Sequence, residues 1–251
     1  MNPKNTRRAF INTSAAISAG LFLSACGGGA SAQAANQRSE AGSKKDKEEG
    51  GEVTATEDLM REHGVLRRAL LVYTAAADRL RANPASVPPD ALQKTARLFR
   101  TFGEDYHEKK LEEAYIFPAV RKAGGPAASY PDILVTQHDR GREITDYILS
   151  VTKGAKLGAA NAEPLARAME SLVLMYRNHA AREDTIVFPA WKKTLSEKEL
   201  DEMGERFEEI EHQQFGEDGF DNAVRQIGEI EGMLGLTDIS QFTAPPPPKA
   251  Q

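Results

Sequence analysis

Histidine and glutamate are the residues of this chain whose spacing could do chemistry. Four of its five histidines, His63, His107, His138 and His179, fall one in each of four helical stretches, with Glu112 and Glu183 beside the second and fourth. In "HAARE" the i, i+4 spacing puts His179 and Glu183 about one turn apart on one helix face, suited to gripping one ion or two neighbouring ions. A lone core histidine is usually a hydrogen-bonded structural residue. Four of them with two acids, on stripes that should be apolar, need partners, because burying an unpaired charge costs several kcal/mol. Imidazole with carboxylate favours iron, manganese or zinc over calcium. Cys26 is the only cysteine, so there is no internal disulfide and no thiolate site, and the ligands must be nitrogen and oxygen.

The elements that must position these groups are helices. From Thr56 to about Ala82, Leu59, His63, Leu66, Leu70, Tyr73, Ala77 and Leu80 alternate at spacings of four and three, the pattern of one core-facing stripe. After "NPASVPPD" a second helix runs to about Lys122, where "AGGPAASYPD" ends it. Asp132 is placed to cap a third helix carrying Leu134, His138, Gly141, Ile144 and Ile148. Asn161 and Pro164 read as cap and first turn of a fourth, with Leu165, Met169, Leu172, Tyr176, His179 and Glu183 on its face. "LSEKELDEMGERFEEIEH" adds a capping box, Ser196 with Glu199, and short helix outside the bundle. No strand-like alternation of useful length appears, so the expected fold is all-α, an antiparallel four-helix bundle with additional C-terminal helices.

The chain repeats itself. "EEAYIFPAVRK" from Glu112 and "EDTIVFPAWKK" from Glu183 share two acids and a Phe-Pro-Ala at the same offset. Helices one and two thus form a half, and helices three and four another, each supplying a histidine from its first helix and a histidine with an acid from its second. The halves differ at one point. His107 precedes Glu112 by five residues, and alignment on Phe117-Pro118 and Phe188-Pro189 sets Glu108 opposite His179. Five residues turn a side chain by ~140° on an ideal helix, against ~40° for four. Either a π-bulge near Lys110 restores the facing, the reading preferred here, or Glu108 replaces or supplements His107. His212 lies outside the pattern and reads as surface or supporting; Tyr106, Tyr176 and Trp191 read as packed core, and the two Phe-Pro pairs as plugs at the bundle end whose prolines stop or kink the helix.

"REHGVLRR", "DYHEKKLEEAYIFP", "QHDRGRE" and "NHAAREDTIVFP", in that order, resemble the hemerythrin-like HHE cation-binding domain over most of residues 56 to 215. The resemblance implies a non-haem centre of two iron ions, bridged by oxo, hydroxo or carboxylate, with manganese or zinc second to iron. Its ligands would be His63, His107, Glu112, His138, His179 and Glu183, with Glu108 as the alternative to His107, and its partner oxygen or a related small oxidant. Oxygen carriers of the family have a second histidine one turn after the first on the third helix; here that position is Arg142. An open site of this kind favours reaction, sensing or exchange over reversible carriage. The rival readings are a di-iron oxidase or peroxidase, and a metal-binding structural adaptor.

The ends of the chain differ in composition. "TRRAFINTSAAISAGLFLSAC" resembles a twin-arginine signal peptide fused to a lipobox, which implies removal of residues 1–25 and lipidation of Cys26. The polar, charged run 26–52 reads as a disordered tether, 53–240 as the bundle and the proline-rich 241–251 as a disordered tail. The expected location is the periplasmic side, anchored by lipid in the outer membrane rather than the inner. Loss of residues 1–25 removes Lys4, Arg7 and Arg8 and no acid, taking the formal charge from −5 to −8. A surface this acidic argues against nucleic acid as a partner.

Overall fold

A computed structural model describes residues 53–216 and 218–248. The twin-arginine and lipobox residues, Cys26 and the tether up to residue 52 lie outside the described residues. The described chain is all helical: α1 spans Ala55–Ala82, and α2 is a continuous rod made of Pro89–Leu98, Phe99–Ile116 and Phe117–Ala123. Pro131–Val151 forms α3, and α4 runs through Ala159–Arg182, Glu183–Val187 and Phe188–Lys192. Two further helices follow, α5 at Glu197–Phe215 and α6 at Gly219–Met233. No described helix is long and apolar enough to cross a membrane.

Cross-links along the rods show that neighbours run antiparallel. Arg67 pairs with Asp184 and Arg81 with Glu163 and Glu170 between α1 and α4. Thr145 bonds Glu104 at 2.6 Å and Gln93 bonds Thr152 at 2.9 Å between α2 and α3. The core stripe read from α1 is buried throughout, from Leu59 to Leu80. The Ser196–Glu199 capping box is present at the start of α5. The C-terminal helices are longer than read and cover the α1–α2 face: Phe215 packs edge-on against Tyr106, and Arg68 forks onto Glu231 at 2.8 and 2.5 Å.

Both expected caps are displaced. Helix α3 starts at Pro131, and Asp132 sits in its first turn, paired with Arg121 at 2.8 Å instead of capping. Helix α4 starts at Ala159 after Gly158, which leaves Pro164 inside the helix. There its ring forfeits one backbone hydrogen bond and crowds the Ala160 carbonyl, near enough to the helix start that the rod continues.

The Phe-Pro pairs do something other than stop a helix. In both halves the rod continues past the proline, and the turn before it is π-helical: Phe117 N–H bonds Glu112 C=O and Phe188 N–H bonds Glu183 C=O, each five residues back. A proline ring crowds the carbonyl four residues before it. Widening that turn relieves the clash, and the turn so widened is the one that carries Glu112 or Glu183. The repeated phrase is thus a device for setting a glutamate inside the bundle. In α2 the π-helical stretch is long, Phe99–Ile116, and includes the bulge expected near Lys110.

Candidate metal centre

His63 on α1, His107 and Glu112 on α2, His138 on α3, and His179 and Glu183 on α4 meet at one level of the bundle. None of the six is more than 3% exposed. All four rings turn Nε2 inward. His107 Nε2 stands 3.2 Å from Glu112 Oε1, and His138 Nε2 stands 3.4 Å from Glu112 Oε2. His179 Nε2 is 3.0 Å from Glu183 Oε1, and His63 Nε2 is 3.5 Å from Glu183 Oε2. Each carboxylate therefore turns one oxygen to the His63–His107 pair and the other to the His138–His179 pair.

The four Nδ1 atoms are all held, by residues that sequence reasoning missed. Asp184 accepts from His63 at 2.7 Å, Glu62 from His107 at 2.6 Å, Glu113 from His138 at 2.9 Å and Gln137 from His179 at 2.9 Å. Because these oxygens accept, each Nδ1 carries a proton and each Nε2 is the nitrogen turned inward, free to hold a metal ion once it carries no proton of its own. The supports form a ring around the bundle: α1 holds the histidine of α2, α2 that of α3, α3 that of α4, and α4 that of α1. Each supporting residue is the immediate sequence neighbour of a converging residue, which is the signal that could have found them.

Both tyrosines read as packing residues are hydrogen-bonded here. Tyr106 donates to Glu62 at 3.0 Å and Tyr176 to Glu108 at 2.6 Å. Arg142 bonds Glu113 at 2.9 Å and lies 3.4 Å from Glu108, so its guanidinium braces the acids behind His138. His212 is exposed on α5 and takes no part, while Trp191 is buried and stacks on Phe207. His107 and Glu108 both lie inside the bundle, because π-helical winding brings two consecutive residues to the interior.

The electrostatics are those of a site built around positive charge. Burial alone would lower His138, but the Glu108, Glu112 and Glu113 carboxylates outweigh it and raise its pKa to about 10. For His107 burial is likewise outweighed by Glu112 and Glu62, and its pKa stands well above the imidazole range. Glu112 is driven well below the carboxylate range by His107 and His138 against the opposing effect of burial. Even so, both oxygens of Glu112, both of Glu183 and Nε2 of His107 have no hydrogen-bond partner. Buried polar atoms are nearly always satisfied, so five orphaned inward-facing atoms fit a bound cation. Donor atoms close enough to share an ion fall into three groups among the described residues: Glu112, His138, His179 and Glu183; His63, His107 and Glu112; and Glu108, Glu113 and His138. A cavity of about 20 Å³ adjoins them, lined besides by Leu66, Arg67, Leu70, Phe99, Tyr176 and Ala180.

Residues 54–191 match the family model of the hemerythrin HHE cation-binding domain. The chain belongs to that family. The match covers all four rods and every residue of the centre described above. The "Uncharacterized protein Mb2018" of Mycobacterium bovis and "Uncharacterized protein Rv1995" of Mycobacterium tuberculosis are each 47% identical to it over 195 residues, covering 76% of this chain and 74% of theirs. No solved structure matches. As a hemerythrin HHE domain the bundle has a metal-binding site, and the histidine–glutamate groups are suited to hold the metal.

Proposed function

We propose that this hemerythrin-like bundle binds two iron ions through His63, His107, Glu112, His138, His179 and Glu183, and reacts with oxygen or peroxide instead of carrying oxygen reversibly. The observation that carries the reading is the disposition of Glu112 and Glu183, each turning one oxygen to either histidine pair. Nitrogen and oxygen donors in this ratio suit iron. Two such ions supply the electrons for reduction of a small oxidant.

The chain's own residues set what can react. The cavity of about 20 Å³ has room for little more than one water-sized molecule, so that any oxidant reaching the centre through it must be small. Leu66, Leu70, Phe99 and Ala180 make part of its wall apolar, and Arg67 also lines it. Tyr176 donates its hydroxyl proton to Glu108 in a hydrogen bond at its edge. Arg142, where oxygen carriers have a histidine, is committed to Glu113 and the Glu104 carbonyl and cannot serve as an imidazole ligand. Stopped-flow spectra of the reduced, iron-loaded protein mixed with oxygen, and separately with hydrogen peroxide, test the reading. The expected result is direct conversion to the oxidised spectrum. An oxygenated band that persists and is lost on removing oxygen would establish carriage instead.

The same proposal places the protein in the cell envelope, on the twin-arginine and lipobox pattern that ends at Cys26. Cys26→Ser is expected to move the chain from the membrane to the soluble fraction, and unchanged membrane association would refute the anchor.

A further inference from the structure

The cavity beside the centre reaches solvent on one side. Its lining comes from α1, α2 and α4, and Arg67 alone among those residues is exposed, with 45% of its side chain open to water. The other approaches are shut. At the bundle end Phe188 stacks on His63 and Phe117 on His138. Over the α1–α2 face Phe215 packs against Tyr106. Between α2 and α3, Arg142 is tied to Glu113 and to the Glu104 carbonyl. Between α3 and α4, a Cβ at Gly141 would lie 2.8 Å from the Tyr176 ring carbon that bears the hydroxyl, and closer still to the hydroxyl itself, so those rods leave no gap at that level. What remains is the seam of α1 and α4. Arg67 with Asp184 and Arg81 with Glu170 cross-link it, and Leu70 and Ala180 line the cavity between those two ion pairs. Leu71 and Leu174, in the same stretch, stand exposed at 64% and 66%.

We propose that the α1–α4 seam is the entrance by which a small uncharged molecule reaches the centre, with Arg67 holding it shut and Ala180 setting what can pass. This rests on the two-iron reading above. Arg67 is a positioning residue, because it acts on the path and touches no converging donor atom. Its guanidinium is paired with Asp184 at the surface, and an exposed ion pair is weakly held and opens readily. When Arg67 swings out, Asp184 stays in place, since it also accepts from His63 Nδ1 at 2.7 Å. The mouth then presents Leu66, Leu70 and Ala180. An anion would have to give up its hydration against that apolar wall, whereas an uncharged molecule loses far less. Ala180 carries the smallest side chain of the lining, so any larger residue there takes up the space through which the molecule moves.

Nitric oxide, an uncharged diatomic, tests the entrance without any turnover assay. It is mixed in stopped flow with the reduced, iron-loaded, full-length protein, and its association and dissociation rate constants are read from the iron absorption. An entrance changes both constants and leaves their ratio, because it belongs to the path and not to the bound state. Ala180→Leu should lower both by at least about tenfold, and Arg67→Ala should raise both by at least about threefold, with iron content and the affinity for nitric oxide unchanged. Unchanged rate constants in Ala180→Leu would overturn the proposal while leaving the iron centre intact. An altered affinity at an unchanged association rate would set Ala180 beside the bound molecule and overturn it equally. Should Ala180→Leu fail to fold by circular dichroism, Arg67→Ala decides alone, and unchanged rate constants there overturn the entrance. A wild-type protein that binds no iron would remove the two-iron reading and this inference together.

Discussion

Glu112→Ala is expected to empty both metal positions at once. Glu112 Oε1 faces His107 at 3.2 Å and Oε2 faces His138 at 3.4 Å, so one carboxylate serves both histidine pairs. Its removal also leaves His107 and His138 without the anion that helps hold their pKa values up. Losing the partner of a buried charge costs ~3–5 kcal/mol, and the variant should therefore melt well below the wild type in metal-free form. His63→Ala should behave differently. It touches one pair, so that iron should fall by about half with the ion of His138 and His179 retained. Elemental analysis after gel filtration, with circular dichroism to confirm helicity, separates the two outcomes. A Glu112→Ala protein that keeps either ion would contradict the bridging role.

The second large effect is on pH. In the metal-free protein the surrounding carboxylates raise His138 to about 10 and push His107 above the ordinary imidazole value of 6.5, so both rings hold their protons more firmly than a free imidazole. Iron must displace those protons. Its apparent affinity should rise with pH by up to about 100-fold per unit while both protons are being released. Stability of the metal-free bundle should move the other way. A histidine whose pKa is raised on folding stabilises fully below its unfolded value, and the contribution disappears as pH rises through the folded one. The window runs from about 6.5 to about 10 for His138. Melting temperatures of chelator-treated protein should accordingly fall across that window, while the iron-loaded protein, in which metal has replaced the protons, stays level. Parallel profiles for the two forms would show that the metal and the protons do not compete for the same atoms.

Much of the fold was legible because it rests on local periodicity. The alternating stripe of α1 places His63 among Leu59, Leu66 and Leu70, and the structure buries all four. The repeated Phe-Pro phrase marked the two halves, although its effect was misread: the proline widens a turn that a sequence pattern can only mark as broken. Helix starts were less legible. Asp132 has the composition of a cap but is drawn off by Arg121 across the loop, a tertiary contact no local rule contains. The capping box at Ser196, which needs nothing beyond its own turn, was readable.

The centre divides in the same way. The histidines and Glu112 and Glu183 stand out as polar residues on apolar stripes. Glu62, Glu113, Gln137 and Asp184 do not, because each acts on a ring from the neighbouring rod. In one dimension they are ordinary charged or polar residues beside a ligand candidate. Glu108 was read as replacing or supplementing His107 unless a π-bulge intervened, because on an α-helix a spacing of five does not turn His107 and Glu112 to one face, and the π-helical winding of α2 buries His107, Glu108 and Glu112 together. Tyr176 was read as packing because its partner lies 68 residues away and its path to Glu108 depends on the missing side chain of Gly141.

The most direct measurement is an anomalous difference map, collected at the iron edge from crystals of protein folded with iron. Two peaks about 3.5–4 Å apart, one beside His63 and His107 and the other beside His138 and His179, with Glu112 and Glu183 reaching both, are the predicted result. A single peak, or none within the ring of inward-turned Nε2 atoms, would contradict it.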